Sequence, residues 1–232
     1  TRGQRVAAYN GHSHILPVVT NLAWSPDGKY LASTCVNLGL DQAVHIWDAH
    51  SGRNILKIDL HSGLSDSAGG VAWSPDGQYI ACGKKQEVQI HSTTTGKCKL
   101  IYDKHTDSHR SSGDILPQTD WVAKVAWSPD GTRIASVGWK TIHVWDATTG
   151  ATLITYIDHT DSVRDITWSP DSQYIASASN DKTVHIWNAR TGSRLFIYDQ
   201  HKEEVASVAW SPDGTRIASA CKDGKVHVWQ AL

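Results

Sequence analysis

The sequence predicts an all-β fold made of five copies of one four-stranded antiparallel unit. Three observations predict it. The tetrapeptide WSPD occurs five times in 232 residues, beginning at Trp24, Trp73, Trp127, Trp168 and Trp210. A small residue follows nine positions after each of those tryptophans, at Ser33, Cys82, Ser136, Ser177 and Ser219. Every unit also divides into four short runs rich in β-branched and aromatic residues and bounded by turn signals, which is a strand pattern.

The elements of one unit follow in order. A small-apolar run such as VAKVA or EVASVA forms the first strand. Ser-Pro-Asp-Gly then suits a type I turn, because Pro presets φ at the second position and Gly is favoured at the fourth. The second strand holds G-x-x-I-A-S or a near variant, and the third reads VHIW or IHVW. A DA-x-T-G turn leads to a fourth strand resembling ATLITYIDH. Two more intervals are constant. A glycine lies five residues after the third-strand tryptophan position, as in Trp47 to Gly52 or Trp187 to Gly192. A histidine lies nine residues after each glycine, giving His61, His105, His159 and His201, and Gly3 to His12 obeys the same interval. The opening residues therefore read as a fourth strand without its first three, and the closing residues as three strands without a fourth. Pairing one with the other closes a ring and removes an exposed sheet edge.

Trp47-Asp48, Trp145-Asp146, the weaker Trp187-Asn188 and Trp229-Gln230, Gly11-His12 and the SPDG turns give the chain a resemblance to the WD40 family along its whole length. The second unit departs, with His91 where the others place Trp. The resemblance implies a β-propeller. The strand count makes it a single domain of five four-stranded antiparallel blades, at about 12–60, 61–104, 105–158, 159–200 and 201–232 with 1–11. The expected object is a monomeric ring, closed by the N-terminal strand pairing with the C-terminal blade.

Composition narrows the function classes. Lys plus Arg number 22 and Asp plus Glu 23, for a net charge of −1. Such a chain carries no electrostatic footprint for nucleic acid or an acidic membrane. No apolar run is long enough for a membrane span, and no signal peptide opens the chain. Cys35, Cys82, Cys98 and Cys221 show no CxxC spacing, so they read as buried thiols in a reducing compartment. A cytoplasmic location is expected. The chain begins at Thr1 and contains no Met, which suggests a piece of a larger multidomain protein.

Thirteen histidines suggest a metal site until they are sorted by position. Five are the repeated loop residue, and four, His45, His143, His185 and His227, precede the third-strand aliphatic. Only His14, His50, His91 and His109 remain, so no metal or other cofactor is expected. His159, Ser177, Asp181 and Trp187 in the fourth unit, and His201, Ser219, Asp223 and Trp229 in the fifth, invite a hydrolase reading. The family resemblance instead implies a buried Trp–Ser–His–Asp hydrogen-bond network, with His12, Ser33, Asp41 and Trp47 as the first unit's version. Ser179 shares a face with Ser177 and is an alternative to it. A nucleophile needs one singular site, whereas this set recurs, so no catalytic residue is assigned. The second unit, with Cys82, Gln86 and His91, has lost most of the network and is expected to be the loosest blade.

Length varies at two loops only. From the repeated histidine to the next WSPD tryptophan the span is 9 in units four and five, 12 in units one and two, and 22 in unit three. Between the second and third strands, unit one is longest because VNLGLDQ intervenes. In a four-stranded meander both loops emerge on one rim, so the insertions at 36–42, 62–69 and 106–121 gather there. Loop change on one rim points to contact by that rim. Trp121 and Trp139 belong to neither repeated tryptophan position, and both fall on the varied rim. With His109, Arg110, Asp114, Asp120 and Lys140 they form the candidate binding surface, since Trp and Arg are enriched at binding hot spots. A pinned loop is the alternative. The expected function is a non-catalytic scaffold for a protein or peptide, as the resemblance also implies, with a lectin-like carbohydrate or small-molecule binder as the second reading.

Overall fold

The SPDG turns set the frame of the molecule. In a computed structural model, the described residues are 5–12, 18–36, 43–60, 68–105 and 122–231. In the first turn the Gly28 N–H bonds Ser25 O at 2.9 Å, the Ser25 hydroxyl donates to Asp27 Oδ1 at 2.7 Å, and Gly28 takes φ +70°. The same arrangement recurs at Gly77, Gly131 and Gly214. In the fourth copy Ser172 holds a φ of +62°. Its hydroxyl accepts the Asp130 N–H of the neighbouring unit at 3.0 Å, a bond glycine could not make.

The first sheet comprises β1 (Val18–Trp24), β2 (Tyr30–Val36), β3 (Ala43–Asp48) and β4 (Asn54–Asp59). The second comprises β5 (Ala68–Trp73), β6 (Tyr79–Lys84), β7 (Glu87–Ser92) and β8 (Cys98–Tyr102). The third holds β9 (Lys124–Trp127), β10 (Arg133–Val137), β11 (Ile142–Asp146) and β12 (Thr152–Tyr156). The fourth holds β13 (Val163–Trp168), β14 (Tyr174–Ser179), β15 (Val184–Asn188) and β16 (Arg194–Tyr198). The fifth has β17 (Val205–Trp210), β18 (Arg216–Cys221) and β19 (Val226–Gln230). Each sheet is an antiparallel meander in chain order, four of them with four strands and the last with three. The SPDG and DA-x-TG turns therefore share one rim. Residues 37–42, 61–67 and 106–121, which lie outside the described residues, attach at the other.

The apolar cores lie between sheets. Each of four clusters joins the second and third strands of one blade to the first strand of the next. Between blades four and five, for example, Ala176, Ala178, Val184 and Ile186 meet Val205 and Val208. Blades two and three approach most closely through glycine. A Cβ on Gly70 would lie 2.6 Å from the Val125 nitrogen, and one on Gly69 would overlap the Val122 carbonyl oxygen. The position preceding the core-facing aliphatic of each first strand (Leu22, Val71, Val125, Ile166 and Val208) is Asn21, Gly70, Lys124, Asp165 and Ser207 in turn. Asp165 Oδ2 accepts from the Ser207 hydroxyl at 2.6 Å and from the Val208 N–H at 3.1 Å, while Oδ1 stands 3.4 Å from Lys124 Nζ. One carboxylate thus links three blades.

The expected closure is not seen: the described sheets form no closed ring, and no fourth strand pairs with β19. Residues 5–12 form no strand and instead lie on the first sheet. Tyr9 stacks on Trp47 with ring centroids 5.3 Å apart and planes at 8°. Its hydroxyl lies 2.5 Å from His45 Nδ1 and accepts from Asn54 Nδ2 at 2.6 Å. These contacts anchor the segment to the blade that follows it, whatever lies on its other side.

Candidate interaction rim

Among the described residues the fourth blade holds the most complete polar network. Trp187 Nε1 donates to Ser177 Oγ at 3.3 Å, Ser177 Oγ lies 2.8 Å from His159 Nε2, and His159 Nδ1 lies 2.7 Å from Asp181 Oδ2. An indole only donates and a carboxylate only accepts, so the protons point in sequence from tryptophan to aspartate. Ser177 takes this place; Ser179 instead donates to the Asp161 and Ser162 carbonyls and caps Asp181 N–H. Burial acts to raise the Asp181 carboxyl, but hydrogen bonds from His159 and Thr183 outweigh it and hold the group below the ordinary carboxylate range.

The other blades vary this arrangement. In blade three Trp145 donates to Ser136 at 3.1 Å and His105 Nε2 lies 2.7 Å from the same hydroxyl. No aspartate is there, and His105 Nδ1 is buried with no partner among the described residues. Burial, reinforced by His143, pushes the pKa of His105 down to about 3. In blade five Trp229 and His201 share Ser219, at 3.3 and 2.7 Å. Asp223 turns to the Lys225 N–H, and His201 Nδ1 has no partner among the described residues. In blade one Trp47 and His12 meet on Ser33, while Asp41 lies outside the described residues.

A further member escaped the sequence reading. Tyr102, Tyr156 and Tyr198 end their outer strands, yet stack on Trp145, Trp187 and Trp229 of the following blade at 4.5 Å and 3–6°. Their hydroxyls bond His143, His185 and His227, and those rings lie against the repeated histidines. The signal was a constant interval of three, Tyr9 to His12 and Tyr156 to His159. Blade two exchanges four members of the set: Ile58 replaces the tyrosine, Cys82 the serine, Gln89 the third-strand histidine and His91 the tryptophan, while its repeated histidine, His61, lies outside the described residues. His91 Nε2 bonds Gln89 Oε1 at 2.9 Å, Gln89 Nε2 donates to Glu87 at 2.7 Å, and His91 Nδ1 lies 3.0 Å from Gly96 O. This blade has a different network rather than a depleted one. Burial pushes the Cys82 thiol up to about 12. Cys35, Cys82 and Cys221 are buried, but Cys98 is exposed, so the expectation of four buried thiols is corrected.

These sets lock strands together. Ser177 and Ser219 are buried beneath tryptophan and histidine rings, out of reach of a substrate carbonyl. His159, Asp181 and His185 bring donor atoms within 4.8 Å of one another. Their rings stack at 3.8 Å and 10°, so the in-plane lone pairs run parallel rather than converging, and His159 already uses both nitrogens. That geometry suits packing, not metal ligation.

On the insertion-bearing rim, Trp139 and Lys140 are half-buried in the β10–β11 turn. The Trp139 carbonyl accepts the Val163 N–H of the next blade at 2.8 Å. Lys140 Nζ sits 4.5 Å over the Trp139 ring and donates to Thr160 O at 2.6 Å. Trp121, His109, Arg110, Asp114 and Asp120 lie outside the described residues. On the opposite rim a groove of about 650 Å³ opens between the first two SPDG turns, lined by Tyr30, Leu56, Trp73, Pro26 and Pro75 and flanked by Asp27 and Asp76. Smaller versions recur at the next two junctions, about 280 and 340 Å³. At the third, Arg133 fills the space by bonding the Ala189 and Ser172 carbonyls and lying over Trp168.

Repeated four-stranded sheets, a third-strand tryptophan tied to a second-strand serine and a loop histidine, and cores lying between sheets define a repeat protein of the WD40 class. The chain belongs to that family: residues 3–48, 53–92, 110–146, 150–188 and 192–230 match the WD domain, G-beta repeat. Among curated proteins it is similar to Protein HIR1 from two strains of Cryptococcus neoformans var. neoformans serotype D, JEC21 and B-3501A. Each match is 30% identical over 123 residues, 53% of this chain and 12% of the relative.

Proposed function

We propose that the chain is a non-catalytic scaffold that presents its insertion-bearing rim to a protein or peptide partner. The observation that carries this is positional: the described strand ends that flank 37–42, 61–67 and 106–121 all lie on the rim opposite the invariant turns, the rim that also carries Trp139 and Lys140. Family membership supports a scaffold over an enzyme. The locked networks beneath supply the rigidity that limits ordering costs on binding.

The test is affinity capture with the parent chain, the double change Trp121→Ala/Trp139→Ala, and an opposite-rim control, Asp27→Ala. The expected result is loss of the captured partner with the double change alone, at unchanged circular dichroism. Equal capture by all three sinks the reading. A second reading has one observation behind it, the aromatic groove at Tyr30 and Trp73, which suits a small neutral ligand. Quenching of tryptophan fluorescence by soluble saccharides, abolished by Tyr30→Ala, would favour it.

A further inference from the structure

We propose that the leading face of the first blade and the trailing face of the fifth are two halves of one interface, through which copies of this chain join head to tail. Five sheets make four apolar cores, and each core consists of one trailing and one leading face. One half of each kind is left over. At the leading position, Val71, Val125, Ile166 and Val208 are 5–7% exposed, whereas Leu22 is 61% exposed. Trp24 is 60% exposed, against 6% for Trp168 at the same position. At the trailing positions, Val184 and Ile186 are wholly buried, as are Val88 and Ile90, whereas Val226 and Val228 are 65% and 63% exposed. Isolated apolar residues at a surface are ordinary, but a face that the molecule buries four times elsewhere is a half-built core.

The outer-strand position is divided in the same way. Tyr156 of β12 stacks on Trp187 of the blade beyond it, and Tyr9 makes the same stack on Trp47 from residues 5–12, which form no strand. At the other end β17–β19 stand as a sheet with no outer strand among the described residues. A fifth blade from one copy, set against the first blade of another, buries Val226 and Val228 on Leu22 and Trp24. It also brings the β19 edge alongside residues 5–12. With all four junctions formed, Leu22, Trp24, Val226 and Val228 all stay exposed, so among the described residues the two faces are unpaired, and a second copy is the occupant that carries both matching halves. The contact is heterologous, and a heterologous contact propagates until a ring closes or an end is capped.

The experiment is light scattering coupled to size exclusion, on the 232-residue chain from low to high micromolar concentration. Leu22→Lys blocks the leading face and Val228→Lys the trailing face, each leaving the other face intact. Both positions are exposed in the single chain, so each variant should keep the parent's circular dichroism. The parent's mass is expected to rise with concentration past the dimer, and each variant alone to remain monomeric. Their equimolar mixture is expected to form a dimer and stop there, because only one good pair of faces remains. A parent that stays monomeric throughout overturns the proposal, since its faces are then satisfied within one chain or attract nothing. So does growth in mass that neither variant reduces, or a mixture of folded variants that does not pair.

Discussion

Ser177→Ala removes a single oxygen from the middle of the fourth blade. Ser177 is fully buried, accepts from Trp187 Nε1 and donates to His159 Nε2. Its loss strands an indole N–H on a ring with no exposure and a nitrogen on a histidine that is 3% exposed. A buried polar group left unpaired costs about 1–3 kcal/mol, so partial relaxation of the two gives about 2–4 kcal/mol. The matching change in the fifth blade, Ser219→Ala, strands the same two atoms, but Trp229 is half-buried and water can reach it. A loss of about 1 kcal/mol is expected there. Repeat arrays open unit by unit, so a single melting temperature would blur the comparison. Amide hydrogen exchange resolved by strand reads it directly: protection of β14 and β15 should fall roughly 30- to 700-fold, given about tenfold per 1.4 kcal/mol. Ser179→Ala, which touches only rim carbonyls and the Asp181 N–H, should leave the Trp187 region unchanged. Equal losses in blades four and five, or a fall below about tenfold in blade four, would refute the argument that the stranded indole sets the cost.

The histidines make the fold acid-sensitive. His105 and His185 are buried neutral, with pKa values lowered to about 3 first by burial and then by the stacked partner ring. The unfolded chain binds those protons below about pH 6.5, so stability is full above that pH and declines as pH falls toward 3, by up to about 1.4 kcal/mol per unit for each group. Urea midpoints at pH 7 and pH 5 check this; equal midpoints would contradict it. His91→Trp in blade two is expected to destabilise by about 1–3 kcal/mol, because the larger ring meets Ile58 and Cys82 rather than tyrosine and serine. The combined change with Ile58→Tyr, Cys82→Ser and Gln89→His should recover most of that loss, as thermal unfolding would report. Asp165→Ala should raise exchange at the Val208 amide well above that at Val125, since only the former loses its acceptor.

Strands, turns and blade order were legible because their chemistry is local. Pro and Gly fix the SPDG turns, and period-two patterning fixes the faces. Constant intervals located the tryptophan, serine and histidine of each unit, and the resemblance to the WD40 family implied that they bond to one another. The tyrosine contact was not legible, because its partner sits one sheet further on, and an interval of three from a strand end into the following loop does not reveal which ring will cover it. Asp165 was hidden for the opposite reason. Its position holds Asn21, Gly70, Lys124 and Ser207 in the other blades, so no repetition marks it. Closure was out of reach because the angle between neighbouring sheets is set by packing across a core, which leaves no trace in spacing.

Tyr156 belongs by hydrogen bonding to one sheet and by stacking to the next, so the unit repeated in the sequence and the unit seen in space are out of phase by one strand. A segment copied from one such tyrosine to the next carries a whole joint rather than a whole panel. Insertion or removal of that length leaves every remaining seam with both its sides, and a chain of this kind can lengthen or shorten by complete periods without exposing a new apolar surface.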